Sequence, residues 1–570
     1  MESNNMVSRS NLKRRSYLYT PWGGNVPYFT IPERLKMLAE RNPEKEALVF
    51  VGDDGRIGVT YAETVQKSEE IARKLMNIGI KQNDVVAVHD DKSPIWLYCT
   101  LGVQMCGAWP FHFYFQKNDG SDVAAMLQKM NCRAIISQPG EGNSYVNIMK
   151  NFVTFKDDGE IESKNVPTLG KIIFTNNPSD FKGGLLAPNI PLSADDTLPD
   201  IEPEDIAAIF CSSGSTGPPK LISRTHSNIL LAEMICTEAA YFKIDEPIFC
   251  DRTFGWIAGY PSSIFVGITR VTTSTSFKEK TLSELCASTV KIINQENCRH
   301  AILFSSTINE IMNGNYNMNT LESILSGGGP ISSKDAVLVG KVCHRFINGY
   351  GSTENGGMAL NVITDLTKMR NYDTGVPFPG VEVKVVDKDG RLSAIGTPGE
   401  IHVRSRFSST GYLTEEQDWH KRNRVKGYWH KTEDCGYISE DGHLFVTGRM
   451  SESIIIEGAI FLPAQYEDIF KQNPCVEDAV AFGIPDEILF NVAGVAVTLK
   501  EGMTTTAEDL LTFFRKKRDL NFDDSFYASK FVPKKVLFFE KFPLANSGKV
   551  ARKLVKEKAL EMIGSEGCKN

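Results

Sequence analysis

Chemistry first shows in one short run, Ser212, Ser213, Gly214, Ser215, Thr216, Gly217, Pro218, Pro219 and Lys220. Glycines let backbone N–H groups close on an anion, hydroxyls donate hydrogen bonds, and a lysine adds charge. That combination binds phosphate. The run follows "DIAAIF", which reads as a strand, and precedes "LISRTH", which reads as strand rather than helix. Counted from Gly214, the second glycine of a P-loop would be Pro219, and the residue after Lys220 is Leu221. The spacing therefore excludes a P-loop, and no G-x-G-x-x-G marks a dinucleotide fold. Taken alone, the run is also compatible with a flexible turn.

Four further stretches follow in order: "SGGGP" (Ser326 to Pro330), "NGYGSTE" (Asn348 to Glu354), "KTEDCGY" with Gly448 and Arg449, and "PLANSGKVARK" (Pro543 to Lys553). With the loop, this ordered set resembles the adenylate-forming superfamily of acyl-CoA synthetases, firefly-type luciferases and peptide-synthetase adenylation domains. The likeness runs from about Ser16 onward. Its details, "SYLYTPWGG", "TIPERL" and "GRMSESIII", are most similar to mitochondrial medium-chain fatty acyl-CoA ligases.

The resemblance implies ATP, Mg²⁺ and CoA as the small molecules used, with a carboxylic acid as substrate. Ser212 to Lys220 would hold the β- and γ-phosphates. Gly328, Gly329 and Tyr350 would flank the adenine beside Asn348 and Gly349. Thr353 would reach the α-phosphate, and Glu354 would hold Mg²⁺. Asp434 would accept from the ribose hydroxyls, Arg449 would reach the ribose or phosphate side, and Lys549 would stand at the reacting centre. Such a reaction brings a carboxylate against an α-phosphate, anion against anion, so a metal ion and a lysine are the groups it needs. Each residue also has an ordinary reading. Asp434 and Arg449 could be a surface ion pair, Glu354 a solvated loop acid, and Lys549 part of a basic tail.

The acid itself is read from "DRTFGWIAGY". Peptide-synthetase domains carry an aspartate after the phenylalanine to bind an amino group, whereas Phe254 here precedes Gly255. An α-amino acid is disfavoured, and Trp256, Ile257 and Tyr260, with Gly327 and Gly328, suit an acyl or aryl pocket. Four positions depart from the family. Glu433 stands in the family's T-G-D, Ser451 at the hinge position, Ile456–Glu457 where relatives have arginine and glycine, and Gln465 where they have an acid. All four are expected on or near the cleft face of the C-terminal domain. Adenylation looks intact, and transfer to CoA is more open. Passage of the adenylate to another acceptor, luciferase-like chemistry, or a nucleotide-binding regulator without turnover are the alternatives.

The elements that must position these residues alternate. "PERLKMLAERNP" and "TYAETVQKSEEIARKLMNIGI" carry helical periodicity, the second ending at Gly79, and "VVAV" reads as a strand. Helix and strand then alternate through most of the chain. This predicts an α/β domain of mixed parallel sheets flanked by helices over residues 16–448. Beyond Arg449 the texture changes. "SESIIIEGAIFL" reads as strand–turn–strand, a helix opens at Pro463, two strands follow, and "TAEDLLTFFRKKRDL" is a helix. Residues 449–570 therefore read as a small, mobile α+β domain.

Composition bounds the partners. Net charge is −7, which disfavours a broad grip on nucleic acid or an anionic membrane. The apolar window Ile95 to Phe115 is broken by Gly102, Gly107 and Pro110 and holds His112, so it reads as a buried helix entering a buried strand rather than a span. No C-x-x-C pair occurs among twelve cysteines, which read as reduced thiols of an intracellular protein, Cys211 included. Residues 1–15, with Arg9, Lys13, Arg14 and Arg15, read equally as a mitochondrial presequence or a solvated basic tail. The terminal "GCKN" is not a peroxisomal S-K-L, so cytosol or mitochondrion is expected, with oligomeric state open.

Overall fold

The computed structural model describes residues 15–26, 28–53, 55–89, 92–113, 119–156, 160–178, 184–192, 197–211, 220–274, 281–314, 316–318, 321–328, 339–409, 411–413, 424–425, 428–456, 459–486, 490–517, 532–544 and 550–567. The chain divides into two compact units: Leu18–Val383 with Val403–His430, and Met1–Tyr17 with Lys384–His402 and Lys431–Asn570.

The larger unit is mixed α/β and holds two large sheets. Several of its helices start where short polar side chains cap them. Thr30 accepts from the backbone of Glu33, whose carboxylate returns to Thr30, and Leu35 and Leu38 bury the inner face of Ile31–Arg41. Thr60 caps Tyr61–Asn77, which closes before Gly79 at φ +88°. The long apolar window is a helix, Pro94–Met105, buried from Trp96 to Met105, and then a strand, Trp109–His112. Among the described residues no helix is long and apolar enough to cross a membrane.

One sheet runs parallel from Lys171–Phe174 through Ala134–Ser137, Val85–His89 and Trp109–His112 to Ile206–Cys211, where Leu221–Thr225 returns antiparallel. The other places Glu46–Gly52, Arg270–Thr273, Ile248–Cys250, His300–Ile302, Ser323–Gly327 and Arg345–Ser352 side by side and parallel. Their carboxyl ends therefore share one edge, where ligands of such sheets bind. Their residues are buried in near-continuous runs because helices cover both faces.

In the smaller unit, Val476–Asp486 and Phe490–Leu499 form a long antiparallel pair, with Lys535–Phe538 parallel beside it. Helices Pro463–Phe470, with proline at its first turn, and Ala507–Lys517 supply Tyr466, Phe470, Leu510 and Phe514 to its core. The strand–turn–strand at Ile454–Ile456 and Ala459–Phe461 is present. Compactness divides the chain at Lys431, whereas texture alone places the division at Arg449. The hairpin from Lys431 to Arg449 groups with the C-terminal residues because its strands pair along their length.

Candidate active site

The run expected to bind phosphate, Ser212 to Pro219, lies outside the described residues, but its frame is fixed. Cys211 pairs with Leu221 across antiparallel strands, so the two ends of the run are held side by side. Lys220 is half-buried at its exit. Cys211 is no nucleophile, since burial pushes its thiol up to about 12. Eleven cysteines are described, and all are free thiols.

Gly327 ends its strand and faces Gly349, within the adjacent parallel strand, in register. A side-chain carbon on Gly327 would stand 2.5 Å from the carbonyl oxygen of Gly349, so only glycine allows this approach. Gly328, at φ +84°, turns the chain out of the strand. Gly329 lies outside the described residues. Asn348 is buried and donates to the carbonyl of Asp373 at 2.8 Å. Asp373 is in turn held by Arg370 at 2.6 and 2.9 Å and by the N–H of Gly375. Tyr350 and Gly351 flank a bulge in the pairing with Gly356–Ile363, and Thr353 and Glu354 form the turn of that hairpin.

Arg224 clamps this turn. It is 1% exposed and donates to the carbonyls of Thr353 (3.4 Å) and Glu354 (3.2 Å). The Glu354 carbonyl also accepts from the N–H of Ser409 at 2.6 Å. Burial lowers Arg224 to about 10, opposed by the charge of Glu354, and it stays cationic at neutral pH. With both turn carbonyls engaged behind it, the Glu354 carboxylate is the acidic group that the turn offers. A single carboxylate completed by phosphate oxygens is the donor set that Mg²⁺ takes, so the residues fit that ion.

The expected acyl wall separates into two kinds of residue. Trp256 is 43% exposed and meets Phe304 edge-on at 6.3 Å. Ile257 packs against the main core, and Tyr260 is buried within it, its hydroxyl accepting from Gln104. Phe254 is buried against Trp96 and Phe50. Trp256, Gly327 and Gly328 thus stand apart from Ile257 and Tyr260.

In the smaller unit, Asp434 and Arg449 are cross-strand neighbours, with Oδ1 and Nη1 3.1 Å apart. Arg449 also donates to the carbonyl of Thr432 at 3.0 Å. The ion pair therefore forms, and it orients Asp434 at the hairpin edge. Glu433, between Thr432 and Asp434, is exposed and left-handed at φ +61°. Glycine suits that conformation, which accounts for the family's glycine there.

Gln465 caps its own helix, accepting from the N–H of Leu462 at 3.2 Å. Ile456 corrects an expectation. It is 2% exposed and packs in the unit's core with Ile454, since residues two apart on a strand share a face. It does not line a cleft. Ser451 is exposed, and Glu457 lies outside the described residues.

Lys549 also lies outside them, but the chain on either side is pinned. Leu544 pairs with Val550, Ala551 donates to the carbonyl of Pro543 at 2.8 Å, and Arg552 pairs with Glu467 and Glu452.

A family model, AMP-binding enzyme, matches residues 35–413, and that of the AMP-binding enzyme C-terminal domain matches 465–549. The chain belongs to the AMP-binding enzyme family. The mitochondrial medium-chain acyl-CoA ligase of Bos taurus is 24% identical to it over 95% of this chain and 89% of that one. Among solved structures, an anthranilate CoA ligase in complex with anthranoyl-AMP superposes with a TM-score of 0.76 at 18% identity, covering 94% of this chain and 98% of that one. The O-succinylbenzoate coenzyme A synthetase of Bacillus subtilis, in complex with ATP and magnesium ion, gives 0.73 at 18% identity over 93% and 100%. This AMP-binding enzyme shares their adenylate-forming architecture of a large and a small domain.

Two AMP-binding-enzyme residues escaped sequence reading. Arg224 sits in "LISRTH" as one cation in a strand, and only the pairing of that strand shows its side chain reaching the Thr353–Glu354 turn. Arg552 follows Lys549 by three residues, yet its partners lie 85 and 100 positions earlier in the chain.

Proposed function

We propose that this chain is an AMP-forming acid–thiol ligase that joins a carboxylic acid to CoA through an acyl-adenylate. The observation that carries this reading is the glycine-paired strand end Gly327–Gly349, followed by a turn whose carbonyls Arg224 and Ser409 hold from behind. It leaves Thr353 and Glu354 at the edge where a sheet of this kind takes its ligand.

Ser212 to Lys220 and Lys220's charge bind the outer phosphates. Gly328, Gly329, Asn348, Gly349 and Tyr350 form the adenine slot, and Thr353 donates to the α-phosphate. Glu354 holds Mg²⁺, which supplies charge neutralisation as carboxylate approaches phosphate. Asp434, held by Arg449, takes the ribose hydroxyls. Lys549 places its ammonium between the two anions as the new P–O bond forms and pyrophosphate leaves. CoA thiolate then displaces AMP from the acyl carbon. Ser451, at the hinge position, would let the C-terminal domain swing between the two half-reactions. Similarity to medium-chain acyl-CoA and aryl CoA ligases supports a fatty or aryl acid.

Pyrophosphate release across short, medium and aryl acids, with and without CoA, tests the reading. A ligase releases pyrophosphate with some acid and converts it to thioester. Release without thioester indicates another acceptor, and ATP binding with no release indicates a regulator. A mitochondrial address is supported by the basic stretch Arg9 to Arg15 and by the name of the bovine relative. A reporter carrying residues 1–22 decides it, diffuse signal favouring the cytosol.

A further inference from the structure

Arg252 follows strand Ile248–Cys250 and is 6% exposed. A buried guanidinium is costly unless acceptors surround it. Its Nη2 donates to the carbonyls of Leu303 (3.3 Å) and Gly327 (2.9 Å). Among the described residues its Nε is buried without a partner, and its Nη1 lies beside Gly328, 3.9 Å from where a side-chain carbon on that glycine would stand.

The neighbouring carboxylate, Asp251, is buried and faces the charge of Arg252, but its hydrogen bonds go elsewhere, and its Oδ1 makes none among the described residues. Its Oδ2 accepts from the N–H of Phe304 at 3.2 Å and the hydroxyl of Thr307 at 3.0 Å. The guanidinium carbon stacks over the Phe304 ring, 4.8 Å from its centroid, and the half-exposed Trp256 meets that ring edge-on. Arg252 is thus held by one nitrogen and backed by an aromatic wall. Its Nη1 stands at the carboxyl ends of the parallel strands, beside Gly328.

The geometry points to Arg252 as the residue that selects the acid, by binding a second anionic group on it. The substrate class is then dicarboxylic acids, or aryl acids with an anionic substituent, rather than plain fatty acids. A planar fork with unused N–H donors suits a carboxylate. The inference rests on the ligase reading of this same site.

The test measures kcat/KM for pyrophosphate release with glutarate, adipate and phthalate against hexanoate and benzoate. Wild type, Arg252→Met and Arg252→Lys are compared. The expected result is that wild type favours a diacid over its matched monoacid. In Arg252→Met the diacid-to-monoacid ratio falls by about 10²-fold or more, with Arg252→Lys between. Preference of wild type for monoacids overturns the inference. So does an equal loss on both classes in Arg252→Met, which would mark the residue as a brace for the Gly327 carbonyl. Should Arg252→Met fail to fold, seen as loss of its ATP-induced thermal shift, the ratios in wild type and Arg252→Lys decide. If no acid releases pyrophosphate, the ligase reading fails instead. A glutarate-induced thermal shift, present in wild type and weakened in Arg252→Lys, then upholds the anion site, and equal shifts overturn it.

Discussion

At the scale of single residues, the site divides into groups that face the reaction and groups that hold them. Under the proposed function, Lys549 is the first kind. A lone ammonium between two anions is worth most when charge builds, so Lys549→Ala should lower adenylation by about 10²–10³-fold while ATP binding weakens far less. Pyrophosphate release in single turnover, beside an ATP titration, reads the two effects apart. Arg224 is the second kind. Arg224→Met takes the Arg224 donor from the Thr353 carbonyl and leaves the Glu354 carbonyl with the N–H of Ser409, and should raise the KM for MgATP about tenfold and destabilise the enzyme by about 2–4 kcal/mol. If the KM stays at the wild-type value while stability falls, Arg224 braces the fold and not the turn.

At the scale of elements, backbone geometry makes two opposite predictions. Gly327→Ala puts a methyl 2.5 Å from the backbone of Gly349, which cannot yield without parting the strands. Activity should fall more than about tenfold with a loss of about 1–3 kcal/mol, read from thermal melts and initial rates. Glu433 shows the reverse. It is a side-chain-bearing residue held left-handed at φ +61°, and its exposed side chain leaves room for change. Glu433→Gly removes a strain of about 1–2 kcal/mol and restores some unfolded-state entropy, for a net gain of about 0.5–1 kcal/mol. An upward shift in the melting transition checks this, and a downward shift would mean that the Glu433 side chain contributes contacts.

For the whole molecule, buried histidines set the acid limit. His112 is buried among Trp96, Phe210 and Tyr260 with neither ring nitrogen bonded, and His226 accepts from the N–H of Ile31 at 3.2 Å. Burial lowers both to about 3. The unfolded chain, with histidine near its ordinary value of 6.5, takes up these protons first. Stability is therefore full above pH 6.5 and falls toward pH 3, at up to about 1.4 kcal/mol per pH unit for each histidine. Glu233 and Asp251, both raised by burial, act in the opposite direction. His112→Phe keeps the ring and removes one proton site. Its acid-unfolding midpoint, followed by tryptophan fluorescence, should move to lower pH, and an unmoved midpoint would exclude His112 from the acid limb.

The sequence by itself determined the elements and the order of the chemical motifs. Capping residues such as Thr30 and Thr60, the buried helix from Pro94, and the strand rather than helix after Lys220 all follow from local sterics and periodicity, which act over a few residues. The glycine-rich and acidic motifs were legible for the same reason, since their roles depend on residue type. What only the tertiary structure decided are facts of long-range pairing. Arg224 reaches a turn 130 positions away. Ile456 is core because the small unit folds over it, and Arg552 finds Glu452 and Glu467 across that unit. The sequence shows Arg252 only as one charge in an apolar stretch, because its meaning lies in the strand ends beside it. Such contacts depend on which strands become neighbours, and the packing of whole sheets settles that.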